Sequence, residues 1–145
     1  MRKQATMIAA AVALFAALAG AASAQTPNGT MKFQVPFEFN VGGRTMPAGE
    51  YVVRLLGRES NLPAVLIKSG DGRAAQILKM TPVDAKRMRE SATLVFRRYG
   101  GQHFLAQIWT PAERAGLKVR RSEAERRLEV VSRAEVATVE LTAGK

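Results

Sequence analysis

The sequence predicts an all-β fold: an antiparallel sandwich or partly open barrel of about seven strands with one C-terminal amphipathic helix. Three observations predict it. Residues 31–41 alternate without a slip, with Met31, Phe33, Val35, Phe37, Phe39 and Val41 apolar and Lys32, Gln34, Pro36, Glu38 and Asn40 not. That is the period of a strand with one wet and one buried face. Turn chemistry recurs at 42–43, 46–49, 70–72 and 100–101, between apolar runs too short for helices. Only one segment, SEAERRLEVVSR at 122–133, changes to a helical period.

The chain opens on Arg2 and Lys3, followed by the short apolar run MIAAAVALFAALAG and by Ala22-Ser23-Ala24. This is the pattern of an export signal with a small-x-small cleavage site. The run is shorter than the ~20 residues needed to span a bilayer. Cleavage is therefore expected near Ala24, with a periplasmic or secreted product. The 121 residues from Gln25 to Lys145 make one domain's worth of chain. There are no cysteines, which removes disulfides, thiolate metal sites and thiol catalysis. Two of the 22 lysines and arginines lie in the leader, which leaves 20 against 12 acids and a net charge of +8. Such a surface attracts polyanions at low salt.

Taken in order, residues 25–30 (QTPNGT) are small and polar and are expected to fray. The strand at 31–41 follows. Its Pro36 lacks an N–H and fits an edge or a bulge. Met46-Pro47-Ala48-Gly49 suits a type I turn. It leads into EYVVRLLG, where Tyr51, Val53 and Leu55 share a face. AVLIKS and RAAQILKM form the next pair of strands around GDG. Residues 81–91 (TPVDAKRMRES) break the pattern and read as a short helical turn or a basic loop. TLVFRRYGGQHFLAQIW, 93–109, is a hairpin about Gly100-Gly101. Its register then sets Tyr99 opposite Gln102, Arg98 opposite His103 and Phe96 opposite Leu105. One face carries Leu94, Phe96, Leu105 and Trp109. The other carries Val95, Tyr99, Phe104, Ala106 and Ile108. A hairpin apolar on both faces belongs in the middle of a fold. The phenylalanine stripe can cover one side and the helix the other. Ser122 and Glu125 stand at capping-box spacing, and Ala124, Leu128 and Val131 form a narrow stripe. Glu123 with Arg127, and Glu129 with Arg133, are i,i+4 pairs. EVATVEL, rich in Val and Thr, is expected to close the fold as a strand.

VPFEFNVGG…MPAGEYVV, then LVFRRYG…FLAQIWTP, then SEAERRLE resemble a family of small, exported, uncharacterised bacterial proteins. Its members carry a signal peptide, a PF-x-F-x-V strand, a PAG-x-Y turn, an F-x-RYG hairpin and a Ser-x-x-Glu-Arg helix. The resemblance covers nearly all of the chain after the leader. It implies export and this order of elements, and it implies no catalytic residues.

Chemistry-bearing patterns are sparse. His103 is the only histidine. A zinc site would have to be completed by carboxylates alone. A Ser-His-Asp set through Asp71 or Asp84 lacks a nucleophile elbow. Glu38, Glu50 and Glu113 are the carboxylates from which a glycosidase pair would be built. The glycines at 42–43 and 70–72 lack the phosphate-loop ending. No metal and no cofactor is expected, and no dedicated nucleic-acid motif is present. Two surface candidates remain. Arg98 and His103 meet at the hairpin tip beside Tyr99, where basic and aromatic groups can bind anions or stack. Lys118, Arg120, Arg121, Arg126 and Arg127 gather at the helix start. Arg120 and Arg121 sit there against the helix macrodipole, an arrangement that an anion between side chains and backbone N–H groups would relieve. The competing reading is a solvated helix neutralised by Glu123, Glu125 and Glu129.

The expectation is an exported, non-enzymatic protein of the envelope or extracellular space that binds an anionic envelope polymer or a protein partner. Two alternatives stand beside it. One is a β-barrel holding a small apolar ligand against Phe33, Phe37 and Phe39. The other is a carboxylate-dependent hydrolase of envelope polysaccharide.

Overall fold

A computed structural model describes residues 30–57, 62–85, 89–111 and 115–140. The expected leader, residues 25–29 of the segment expected to fray, and Glu113 lie outside the described residues; Thr30, expected to fray with them, instead begins the first strand. The alternation of 31–41 is interrupted at Pro36, so the single expected strand is two. These are β1 (Thr30–Val35) and β2 (Phe39–Val41). The missing N–H of Pro36 ends the first ladder, and the two pieces join different parts of the sheet. Among the described residues β1 pairs only with β4 (Gly49–Leu56), as an edge strand. β2 makes a small hairpin with β3 (Arg44–Met46) through Gly42-Gly43. It also runs parallel to β8 (Gln102–Trp109) at Phe39 and Asn40, one parallel contact in a sheet expected to be wholly antiparallel.

Ten strands form among the described residues, more than the seven expected, and they make one mixed sheet. β4 pairs with β5 (Ala64–Ser69), and β5 with β6 (Ala75–Asp84). β6 is longer than expected because Thr81–Asp84 continue it instead of forming a turn or loop. They pair with β9 (Ala115–Val119). Pro82 is tolerated because its ladder is one-sided there: β5 already ends opposite Lys79, so no partner needs the absent N–H. β9 pairs with β8, β8 with β7 (Thr93–Tyr99), and β7 with β10 (Glu135–Glu140). β10 then comes alongside β1, with no ladder between them among the described residues. The result is a partly open barrel with one unzipped seam.

The inside is the phenylalanine stripe closed against the hairpin. Phe33, Val35, Phe39 and Phe96 have 1% of their surface exposed or less. Phe96 makes T-shaped contacts with Phe37 at 5.1 Å and with Phe39 at 5.3 Å between centroids, and Phe39 meets Tyr51 at 5.1 Å. Burying each ring contributes about 1.5–3 kcal/mol. Tyr51 also explains the P-A-G-x-Y pattern: its hydroxyl donates to the Pro47 carbonyl at 2.5 Å and ties the corner between β3 and β4 to the core.

Around the turn the hairpin has the expected register, Tyr99 with Gln102, Arg98 with His103 and Phe96 with Leu105. Gly100, at φ +59°, supplies the left-handed residue that this tight turn needs. Further out the expected faces fail. Val95 pairs with Gln107, so Ala106 is an extra residue on β8. This bulge turns Ile108 into the core and Trp109 to the outer face, the reverse of strict alternation. There the Trp109 ring lies on Gly116. A Cβ at that position would stand 2.5 Å from Cε3, so only glycine lets β9 carry the ring. Arg89 covers the ring at 5.1 Å, and Gln107 accepts from Nε1 at 3.0 Å.

The helix, α1, spans Glu123–Val131 and is capped by Ser122, whose hydroxyl accepts from the Glu125 N–H at 3.2 Å. It does not dock by its expected stripe. Val131 is 78% exposed and Ala124 is exposed as well, whereas Glu125 is 2% exposed. The outer face of β7 explains this. It presents Arg97 and Tyr99, and their polar groups need an acceptor once covered. The helix is rotated so that Glu125 supplies one: Oε1 accepts from Arg97 Nε and from the Tyr99 hydroxyl, the latter at 3.3 Å. Burial, and then the charge of Glu125, raise the Tyr99 hydroxyl above its ordinary value. Within the described residues, no helix is long and apolar enough to cross a membrane.

Candidate anion-binding cleft

Four of the five cations expected to gather at the helix start share one cleft. Lys118, Arg120, Arg121 and Arg126 line one cleft of about 370 Å³ with Thr81 and Val119. Each is placed by a different local cause. Lys118 is on the outer face of β9, in register with Thr81 of β6 and Gln107 of β8. Arg120 and Arg121 lead from β9 to the Ser122 cap. Arg126 follows one helical turn later, its N–H donating to the Ser122 carbonyl at 3.1 Å. Arg127 does not line the cleft. Successive helical residues are ~100° apart around the axis, so the walls that accept Arg126 exclude its neighbour.

The charges in the cleft are not equivalent. Arg121 Nη1 is 3.1 Å from Glu129 Oε1, and Arg126 Nη2 is 2.5 Å from Glu123 Oε2. These replace the expected Glu129–Arg133 and Glu123–Arg127 pairs. Arg126, by hydrogen bond and by charge, holds the Glu123 carboxyl below its ordinary range. Glu125, the third acid expected to neutralise the helix, is taken by Arg97 instead. Lys118 and Arg120 take part in no ion pair among the described residues. Sequence reasoning missed Thr81, because 81–91 was expected to leave the sheet. It also missed which acid serves which arginine.

The second candidate separates. Arg98 and His103 share a ladder position but do not form a surface pair. Arg98 bonds Glu135 of β10, its own cross-strand partner. His103 lies flat on Phe37, with centroids 3.8 Å apart and planes 13° apart. Its Nδ1 is buried with no hydrogen-bond partner. Burial, and then the charge of Arg98, hold the imidazole below its ordinary value. Among the described contacts of His103 there is no carboxylate or hydroxyl. Asp71 is engaged in the turn between β5 and β6, where it accepts from Ser69 Oγ at 2.6 Å and from the Arg73 N–H at 3.0 Å. Glu38 and Glu50 are exposed, and no set of metal-ligating side chains gathers among the described residues.

The position of His103 sets a pH dependence. The folded state favours neutral imidazole, whereas the unfolded chain takes up its proton near 6.5. The contribution is therefore fully present above about pH 6.5 and is lost as pH falls through the lower folded value. With a single histidine in the chain, few other groups titrate in that window. Denaturant midpoints are expected to fall between about pH 7.5 and about pH 5 in the wild type, and to stay level in His103→Gln. Equal slopes in the two proteins would show that the stacked ring is not the titrating group.

No known family model matches the chain, and no curated protein or solved structure matches it either. The cleft is therefore read from its own residues.

Proposed function

We propose that the protein is an exported, non-enzymatic binding protein of the bacterial envelope or extracellular space. Its ligand is an anionic polysaccharide, such as one bearing phosphate or sulfate groups, held in the cleft of Lys118, Arg120, Arg121 and Arg126. Export is supported by the charged, apolar and small-residue pattern of residues 1–24, and by the motif order that resembles the small exported family. The observation that carries the binding reading is convergence. Cations from β9, from the link to the helix and from the helix itself open onto one cavity, although a freely solvated set would repel and spread. The phenylalanine rings favour this reading over an apolar ligand inside the barrel, because they lie edge to face against one another.

Heparin binding across a salt series tests the proposal. Affinity is expected to fall linearly on a log–log plot as counterions are released. Replacing Lys118, Arg120, Arg121 and Arg126 together by Gln should flatten that line, while Arg127→Gln should leave it nearly unchanged. Retention that is unaltered in the fourfold variant would refute the site.

A further inference from the structure

Resting on that reading, we infer that the helix's own carboxylates tune the cleft. Lys118 and Arg120 make the capture, while Glu123 and Glu129 hold Arg126 and Arg121 in reserve. The inference rests on a contrast among four side chains lining one cavity. Two are engaged by carboxylates at hydrogen-bonding distance, and two take part in no ion pair among the described residues. The uncompensated charge offered to a ligand is therefore two, although four cations line the walls.

The holding contacts are weak enough to be exchanged. In the Arg121–Glu129 pair the side chains are 40% and 41% exposed, and in the Arg126–Glu123 pair 51% and 66%. Ion pairs this wet are worth little, because water and salt screen them and ordering two long side chains costs entropy. A sulfate or phosphate group seated on Lys118 and Arg120 presents oxygens that compete for the same guanidinium N–H groups. Arginine suits the exchange, since its planar fork binds a carboxylate or a phosphoryl group with the same geometry. Both acids belong to α1, so the helix carries Arg126 together with Glu123, which restrains it, and Glu129, which restrains Arg121. The Arg97–Glu125 pair is different. It is buried, fixes the helix, and takes no part in the exchange.

The consequence is a binding strength set below what the cation count allows. Removing a restraining carboxylate should therefore tighten binding. Heparin affinity and its salt slope are measured for the wild type and for Glu123→Gln, Glu129→Gln, Lys118→Gln and Arg120→Gln. Glu135→Gln serves as a control, because it raises the net charge equally but lies on β10 beside Arg98. The wild-type slope is expected to be about −2, and Lys118→Gln and Arg120→Gln should each remove about one unit. Glu123→Gln and Glu129→Gln should each raise affinity roughly threefold and steepen the slope by about one unit. Glu135→Gln should change neither. Wild-type binding that depends on Lys118 and Arg120 but ignores Glu123 and Glu129 would overturn the tuning and leave the binding site standing. An equal gain in Glu135→Gln would overturn it too, by showing a response to net charge alone. Absence of heparin binding at any salt concentration would remove the binding reading, and the tuning with it.

Discussion

Replacing Phe96 by alanine is expected to cost about 4 kcal/mol of folding stability and to lower the melting temperature by about 15 °C. The ring is fully buried on β7, which is paired on both edges, by β8 and by β10. It packs in T-shaped contacts with Phe37 and Phe39, and so joins the hairpin to the chain segment around Pro36. Collapse around the missing ring is resisted on both sides, because the strands that would close the gap are fixed by their ladders. The loss therefore includes a cavity term as well as the lost transfer energy. Denaturant unfolding followed by the fluorescence of Trp109, the single tryptophan, measures it directly. Ile77→Ala is the matched control, since that side chain is 65% exposed on β6 and should cost well under 1 kcal/mol. A loss below about 1 kcal/mol in Phe96→Ala would mean that the stripe and the hairpin do not seal one another.

The second large effect falls on Glu125. Glu125→Ala is expected to destabilise the protein by about 3 kcal/mol, because it leaves the Arg97 guanidinium covered and unpaired. The two side chains are only 3% and 12% exposed, so water cannot replace the carboxylate without moving the helix. Arg97 begins with little in hand, since its Nη2 is already buried without a partner. Glu125→Ala keeps the N–H that Ser122 caps, so the loss reports the contacts of the carboxylate with Arg97 and Tyr99 and not the helix start. The double change Arg97→Met with Glu125→Leu should recover most of the loss, as apolar residues of similar volume often replace a buried pair at no net cost. Urea midpoints for Arg97→Met, Glu125→Leu and the double variant close the cycle. If the double variant lost the sum of the two single losses, the pair would not be coupled.

Much of the fold was legible because its cues are local. Gly100-Gly101 fixes a turn, and a turn fixes the first pairs of a hairpin, so Arg98 with His103 and Phe96 with Leu105 could be read in advance. Ser122 and Glu125 marked the helix start for the same reason. The failures share a cause as well. Ala106 gives no compositional sign that it is an extra residue, yet it exchanges the faces of Ile108 and Trp109. Pro82 looked like a strand breaker because the end of β5, the fact that makes it harmless, lies elsewhere in the chain. The cleft was legible as a cluster of positive charge around residues 118–127. Thr81 was not, because it arrives only through the β6–β9 register.

By itself, then, the sequence determined which stretches alternate, where they turn, where the one helix begins, and that cationic side chains crowd its start. These properties depend on neighbours within a few positions, where backbone geometry and side-chain type act directly. Tertiary structure alone decided which face of the helix is buried, which acid answers which arginine, and which strands meet across the barrel. A helix with a thin apolar stripe has little to gain from one rotation over another. A buried guanidinium on the opposing strand settled the matter, because leaving Arg97 without Glu125 would cost more than exposing Val131.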